Sequence, residues 1–248
     1  MAKISIILLT WKRIYDFELM LTSLCQQTYK YFDVYVSNSN SEQHFQIERI
    51  TNKYKSVLNI QASLDSNDHF AFRRFYVAKQ LAESGSEIIL FIDDDVRISN
   101  DYVANAISQY EPKTYKSAYA WQFDDGVVEY MTDRTRMFSV NDRIHYCGTS
   151  TAMVDASVFL DPQFFEVDPM AYMIDDLWLS YYADHILGWK LQYMDVGKIN
   201  IGGNDYVALY KTFLDGEVGY TKSDFLHYLI NLGWDLSPRL ESNQRPRD

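Results

Sequence analysis

Five consecutive apolar residues, Ile88-Ile-Leu-Phe-Ile92, run directly into Asp93-Asp94-Asp95. An unbroken apolar run of this length suits a strand buried on both faces of a parallel sheet. Three adjacent carboxylates repel one another, so they sit in water or around a cation that compensates them. Open α/β sheets bind ligands at the carboxyl ends of their strands, which is where these aspartates fall. Two readings stay open at this point: a Mg²⁺ or Mn²⁺ site that holds substrate phosphates, or a solvated acidic turn after a core strand.

The chain leading up to that strand alternates in the same way. Ile4 to Leu9 is a continuous apolar run, and Phe17, Met20, Leu21 and Leu24 predict a helix from about Tyr15 to Gln27. Phe32 to Val36 reads as a second strand and ends in the turn-prone cluster Ser37-Asn38-Ser39-Asn40. Phe45, Ile47 and Ile50 suggest a helix, and Val57 to Gln61 a third strand. Asn67-Asp68-His69-Phe70 reads as a loop before a helix that carries Arg73 and Arg74 and ends near Glu83, with Gly85 as its stop. Residues 1–95 are therefore a parallel, right-handed α/β unit, three strand–helix pairs closed by a fourth strand, in the doubly wound order 3-2-1-4.

The second half is less regular. A helix is expected over Asp101 to Tyr110, and a hairpin of Ala118 to Phe123 with Val127 to Met131 around Asp124-Asp125-Gly126. A strand over His145 to Val154, a short helical piece over Ala156 to Leu160, a helix from Asp175 to Leu187 stopped by Gly188, a strand over Lys190 to Met194 and a late helix over Phe225 to Leu232 follow. No linker divides the halves, so residues 1–240 read as one domain with two lobes, 1–95 and 96–240, followed by a polar tail, 241–248.

Composition narrows the function. The net charge of −11 argues against nucleic acid as a main partner. The two cysteines, Cys25 and Cys147, suggest no disulfide framework, so a cytoplasmic protein is expected. No apolar run is long enough for a signal peptide or a membrane span. The five histidines have no zinc-type spacing.

Three strand ends converge in this topology: Thr10-Trp11, Ser37-Asn38 and the three aspartates. Trp11 offers a face for a base to stack on, and Asn38 a donor and an acceptor for a base edge. Arg73 or Arg74 supplies positive charge beside a diphosphate. Taken singly, Trp11 is better explained as a capping aromatic and the arginines as a solvated helix face; it is their convergence on the carboxylates that favours a site. Asp175-Asp176 forms a second acidic pair. Either the helix dipole stabilises it, or one member is a general base for an attacking hydroxyl.

Competing motifs are absent. There is no Gly-x-x-x-x-Gly-Lys-Ser/Thr loop and no Gly-x-Gly-x-x-Gly after the first strand. Asp93-x-Asp95 has the spacing of aspartate-nucleophile phosphatases, which expect Thr or Val two residues further on, where this chain has Arg97.

Ile4-Ser-Ile-Ile-Leu-Leu-Thr-Trp-Lys-Arg13 resembles the opening strand of family 2 glycosyltransferases of the GT-A fold. Leu21-Thr-Ser-Leu-Cys-Gln-Gln-Thr-Tyr29 with Phe32-Asp-Val-Tyr-Val36, Phe91-Ile-Asp-Asp-Asp95 and Asp175-Asp-Leu-Trp-Leu179 with Gly188-Trp-Lys-Leu191 are similar to that family's later motifs, in order, over residues 3–195. The resemblance implies a GT-A α/β fold, with a mostly parallel sheet between helices, a nucleotide-binding lobe (1–95) and an acceptor-binding lobe (96–240). It implies inverting transfer of a sugar from a nucleotide-sugar to a hydroxyl of a glycan or glycoprotein, with Mn²⁺ or Mg²⁺ as cofactor. By position, Thr10, Trp11 and Asn38 contact the base, Arg73 or Arg74 the nucleotide, and Asp94 the ribose or donor sugar. Asp93 and Asp95 hold the metal, Gly148 lies by the donor sugar, and Asp176 is the base.

The family's acidic residue after the second strand is replaced by Ser37-Asn38 here, a departure at the base-recognition position; among UDP, dTDP and GDP the resemblance favours UDP. Gly202-Gly-Asn-Asp205 offers no late histidine for the metal. Two other classes fit less well: a GT-A-like nucleotide- or glycan-binding module without catalysis, and a metal-dependent phosphatase or nucleotidyltransferase.

Overall fold

The computed structural model describes residues 2–64, 69–202 and 218–237. The first half alternates as expected: β1 (Ile4–Leu9), α1 (Ile14–Cys25), β2 (Asp33–Asn38), α2 (His44–Tyr54), β3 (Asn59–Leu64), α3 (Arg73–Glu83) and β4 (Ile88–Asp93). The second half holds β5 (Val96–Arg97), α4 (Tyr102–Ser108), β6 (Thr114–Ser117), β7 (Ala120–Phe123), β8 (Arg134–Met137), β9 (Tyr146–Cys147) and β10 (Thr151–Asp155). It continues with α5 (Asp175–Tyr181), β11 (Lys190–Tyr193), β12 (Asn200–Ile201) and α6 (Lys222–Asn231).

A seven-stranded sheet, ordered β11-β6-β10-β4-β1-β2-β3, forms the centre. Its pairs are parallel except around β10, which runs antiparallel to β4 and to β6. The order 3-2-1-4 expected for the first half is present, and the sheet continues into the second half through β10, β6 and β11.

β1 and β4 are central because both of their faces are apolar. Successive side chains of a strand point to opposite faces. Ile4, Ile6 and Leu8 pack with Phe17, Met20, Leu21 and Leu24 of α1, while Ile7 packs with Phe72, Phe75 and Ala78 on the other side. Rings pin the start of α3, with Phe72 5.0 Å and Phe164 5.2 Å from Phe75. That clamp holds the first turn of α3, which carries the two arginines, against the sheet.

Three elements differ from expectation. The hairpin partner of β7 is β8, in the register Ala120↔Met137 to Phe123↔Arg134, and Val127 to Met131 is not a strand. The Asp133 carboxylate accepts the backbone N–H groups of Val128 and Glu129, both at 2.9 Å, and so folds that stretch into turns. The strand expected over His145 to Val154 divides into β9 and β10 around Gly148. β6, Thr-Tyr-Lys-Ser, has no apolar run to announce it, yet it lies buried inside the sheet. Its polar atoms are satisfied there: Lys116 pairs with Glu111 at 2.7 Å, and the Ser117 and Tyr115 hydroxyls donate to the carbonyls of Gly148 and Cys147, both at 2.7 Å.

The helix from Asp175 is α-helical to Tyr181 and a π turn over Tyr182–Ile186, and Gly188 ends it at φ +65°. Asn67-Asp68, residues 203–205 of the glycine-rich stretch and the tail 241–248 lie outside the described residues. No helix among the described residues is long and apolar enough to cross a membrane.

Candidate active site at the strand ends

Register brings the first three segments together. Leu9 pairs with Ser37 on one side and Asp93 on the other, and the Thr10 N–H donates to the Ser37 carbonyl at 3.0 Å. Thr10, Asn38 and the aspartates therefore leave the sheet side by side. Asp94 is buried and accepts from Arg13 Nη1 at 3.0 Å and from the Trp11 N–H at 3.4 Å. Burial pushes its carboxyl up to about 7, against the pull of Arg13. The same Arg13 nitrogen lies 3.0 Å from Asp95, whose carboxyl burial and the Asp93 charge raise to about 6.

Arg74 forms the bridge to the second half. It is buried at the first turn of α3, with Nη1 2.9 Å from Asp93 and Nε 3.0 Å from Asp175. One guanidinium thus ties the end of β4 to the start of α5. Asp175 also accepts from the Thr149 hydroxyl at 3.4 Å, and burial raises its carboxyl to about 6 although Arg74 opposes the shift.

Asp176 meets a different environment. Lys222 of α6 lies 2.8 Å from its Oδ2, the Tyr146 hydroxyl donates to the same oxygen in a short bond, and the Leu177 N–H donates to Oδ1 at 2.9 Å. Burial works to raise this carboxyl, but Lys222 and Tyr146 outweigh it and hold Asp176 below the usual carboxylate range. Gly148 sits against Tyr119, to whose carbonyl its N–H donates at 2.8 Å, and an added Cβ would lie 3.3 Å from the Tyr119 Cβ. A larger residue at this position would crowd Tyr119.

Asn38 is fully buried; its Nδ2 donates to the Thr10 carbonyl at 2.9 Å, while its Oδ1 has no hydrogen-bond partner. A buried acceptor without a partner is unusual and fits a ligand donor. Trp11 is 41% exposed, and the Lys12 ammonium lies 4.2 Å from its ring centroid. Arg73 instead binds the Ser37 hydroxyl at 2.9 Å and the Ser63 carbonyl at 2.7 Å, fixing the ends of β2 and β3. The structure therefore gathers Thr10, Trp11, Asn38, Arg74, Gly148, the three aspartates and Asp176 on one side of the sheet, with Arg73 toward its β3 edge.

Sequence reasoning passed over Arg13, Tyr146 and Lys222 as site residues. Arg13 stood within the opening motif and its pairing was the missing signal. Lys222 is 46 positions from Asp176, and nothing in its own segment points back to it.

Among the described residues, no group of three or more His, Cys, Asp or Glu forms a ready-made metal cage. Mg²⁺-type ions are commonly held by one or two carboxylates, with substrate phosphates and water completing the shell. Asp93 and Asp95 fit that mode. Among the described residues, the linked carboxylates of Asp16, Asp93, Asp94, Asp95, Asp175 and Asp176 pair with the cations Arg13, Arg74, Arg97 and Lys222, an excess of acidic groups that a divalent cation would relieve.

No family model matches the chain, and no curated protein does. Solved structures do. TarS from S. aureus superposes with a TM-score of 0.59 over 92% of this chain and 42% of its own, at 17% identity. GalNAc-T7 with UDP, GalNAc and Mn²⁺ superposes at 0.62 over 96% of this chain and 52% of its own, at 10% identity. The mannosyltransferase PcManGT from Pyrobaculum calidifontis, with GDP-Man and Mn²⁺, superposes at 0.55 over 78% and 55%, at 13% identity. The chain thus spans about half the length of the structures it matches. The likeness to these structures shows the fold: the chain has the GT-A α/β fold expected from its sequence.

Proposed function

We propose that this protein is a metal-dependent glycosyltransferase that moves a sugar, with inversion, from a UDP-sugar to a hydroxyl of a glycan or glycoprotein. The observation that carries the reading is the Asp93–Arg74–Asp175 bridge, which sets the carboxylates at the end of β4 beside a second acidic pair at the start of α5. Asp93 and Asp95 would hold Mn²⁺ or Mg²⁺, which when bound would neutralise the charge of a departing diphosphate. Trp11 flanks the base, Asn38 accepts from its edge with the free Oδ1, and Asp94 meets the ribose or the donor sugar. Gly148 keeps the wall beside Tyr119 thin enough for the sugar. Asp176 takes the proton of the acceptor hydroxyl. Release of UDP from a panel of UDP-sugars in the presence of Mn²⁺ tests the reading, and no release from any of them would remove it.

Lys222 shapes the pH dependence of that base. It keeps Asp176 ionised by charge, against a burial effect of opposite sign. Lys222→Met removes the charge and leaves burial in command, so the carboxyl titrates higher and is less ionised at a given acidic pH. The acid limb of the kcat/KM profile should move toward neutral pH, while an unshifted limb would separate Lys222 from the base.

Trp11→Ala should weaken UDP binding by roughly 1–3 kcal/mol, the scale of a base–aromatic stack. Calorimetric titration measures it, and parental affinity would place Trp11 outside the base site.

One observation favours a second reading. A carboxylate held by a lysine is a weak base, so the Lys222–Asp176 pair also suits a module that binds the nucleotide-sugar without transferring it. Such a module binds UDP with Mn²⁺ but releases none from donors.

A further inference from the structure

The small sheet β8-β7-β9 presents one face whose charge differs from that of the chain as a whole. Net charge is −11, yet Arg134 and Arg136 stand together on β8. In register, Arg134 opposes Phe123, Arg136 opposes Trp121, and Trp121 opposes Tyr146 of β9. Directly opposed residues share a face of a sheet. The row therefore leads from Arg136 through Trp121 to Tyr146, whose hydroxyl donates to Asp176.

Both guanidiniums lie over rings. Arg134 is 4.2 Å from the Trp121 centroid and 4.0 Å from that of Tyr130; Arg136 is 4.4 Å from Tyr119 and 5.1 Å from the exposed Phe138. Neither makes an ion pair among the described residues, in contrast to Arg13, Arg74 and Arg97. The Nε of each is buried without a hydrogen-bond partner. Their hydrogen bonds are to neutral groups: Arg136 to the Ala118 carbonyl at 3.3 Å and to the Tyr119 hydroxyl, and Arg134 to the Met131 sulfur at 3.3 Å. Two guanidinium forks with donors to spare are matched to carboxylate or phosphate oxygens, and the flanking rings are matched to sugar faces.

We propose that this face is the acceptor subsite and that the acceptor is an acidic glycan, with a carboxylate or phosphate group on Arg134 and Arg136 and its reacting hydroxyl toward Asp176. The assignment rests on the transferase reading for the direction of transfer, but glycan binding can be measured without any donor. Titrate the full chain at low salt with tetragalacturonate and with phosphorylated mannopentaose, beside cellotetraose and unphosphorylated mannopentaose. Titrate UDP with Mn²⁺ in parallel. One of the acidic oligomers, which identifies the anion, should bind at least about tenfold tighter than its neutral counterpart, the scale of one charge-assisted hydrogen bond. Arg134→Gln/Arg136→Gln should abolish that preference, Arg134→Lys/Arg136→Lys should keep part of it, and UDP affinity should stay within about twofold in both. Equal binding of acidic and neutral oligomers, no binding of any, or loss of UDP affinity in place of the acidic preference would overturn the proposal. Failure of UDP to bind the parent protein would instead count against the transferase reading, whatever the glycans do.

Discussion

Asp176→Asn should lower sugar transfer by about 10²–10⁴-fold, the usual worth of a positioned general base, while UDP binding with Mn²⁺ stays within about twofold. The amide keeps the shape of the carboxylate: its one oxygen can still accept from the Leu177 N–H, while the Nδ2 that takes the place of the second oxygen can only donate, to the Tyr146 oxygen. What it loses is the capacity to take a proton, and with it the ion pair to Lys222. The hydroxyl of an acceptor is a poor nucleophile at neutral pH, and the leaving diphosphate needs no protein acid if its charge is already neutralised. The loss should therefore fall on kcat rather than on donor affinity. Transfer at near parental rate, or a product that keeps the donor's anomeric configuration, would refute this role for Asp176.

Arg74→Met should destabilise the fold by about 3–5 kcal/mol, the cost of removing one partner from a buried charge cluster. The side chain is buried with both of its carboxylate partners close, and its removal leaves Asp175 without its counter-charge inside the protein. For a chain of this size each kcal/mol moves Tm by roughly 2–4 °C, so a fall of about 6–20 °C is expected. Arg74→Met/Asp175→Asn should recover part of it, because the orphaned charge is then gone. A thermal melt checks both. A single variant within a degree or two of the parent would mean that the bridge contributes nothing to stability.

How much of this was legible in the sequence depends on the kind of signal. β1 and β4 were plain because a strand buried on both faces must be apolar throughout, and the doubly wound order followed from parallel strands joined by helices. The gathering of Thr10, Asn38 and the aspartates then followed from register. β6 was hidden because its burial is satisfied by Glu111 and by hydroxyl–carbonyl bonds, none of which leaves an apolar pattern. The hairpin went to the wrong partner because Asp124-Asp125-Gly126 is a strong turn signal, while the Asp133 carboxylate that curls the next residues acts through two backbone N–H groups. Arg73 and Arg74 are adjacent and alike in sequence. Helix geometry sends one to the ends of β2 and β3 and the other to the acidic pair, a division that only packing decides. Lys222 was invisible for the same reason: its partner lies in another element.

The most direct measurement is a titration of UDP, GDP and dTDP against the full chain, with Mn²⁺ and again with EDTA. On the proposed reading the diphosphate lies beside Asp93, Asp94 and Asp95, so bare UDP should be repelled and the metal-bound form held. Binding in Mn²⁺, tightest for UDP and at least about tenfold weaker in EDTA, is the expected result. Equal affinity in Mn²⁺ and EDTA, or no binding of any nucleotide, would contradict it.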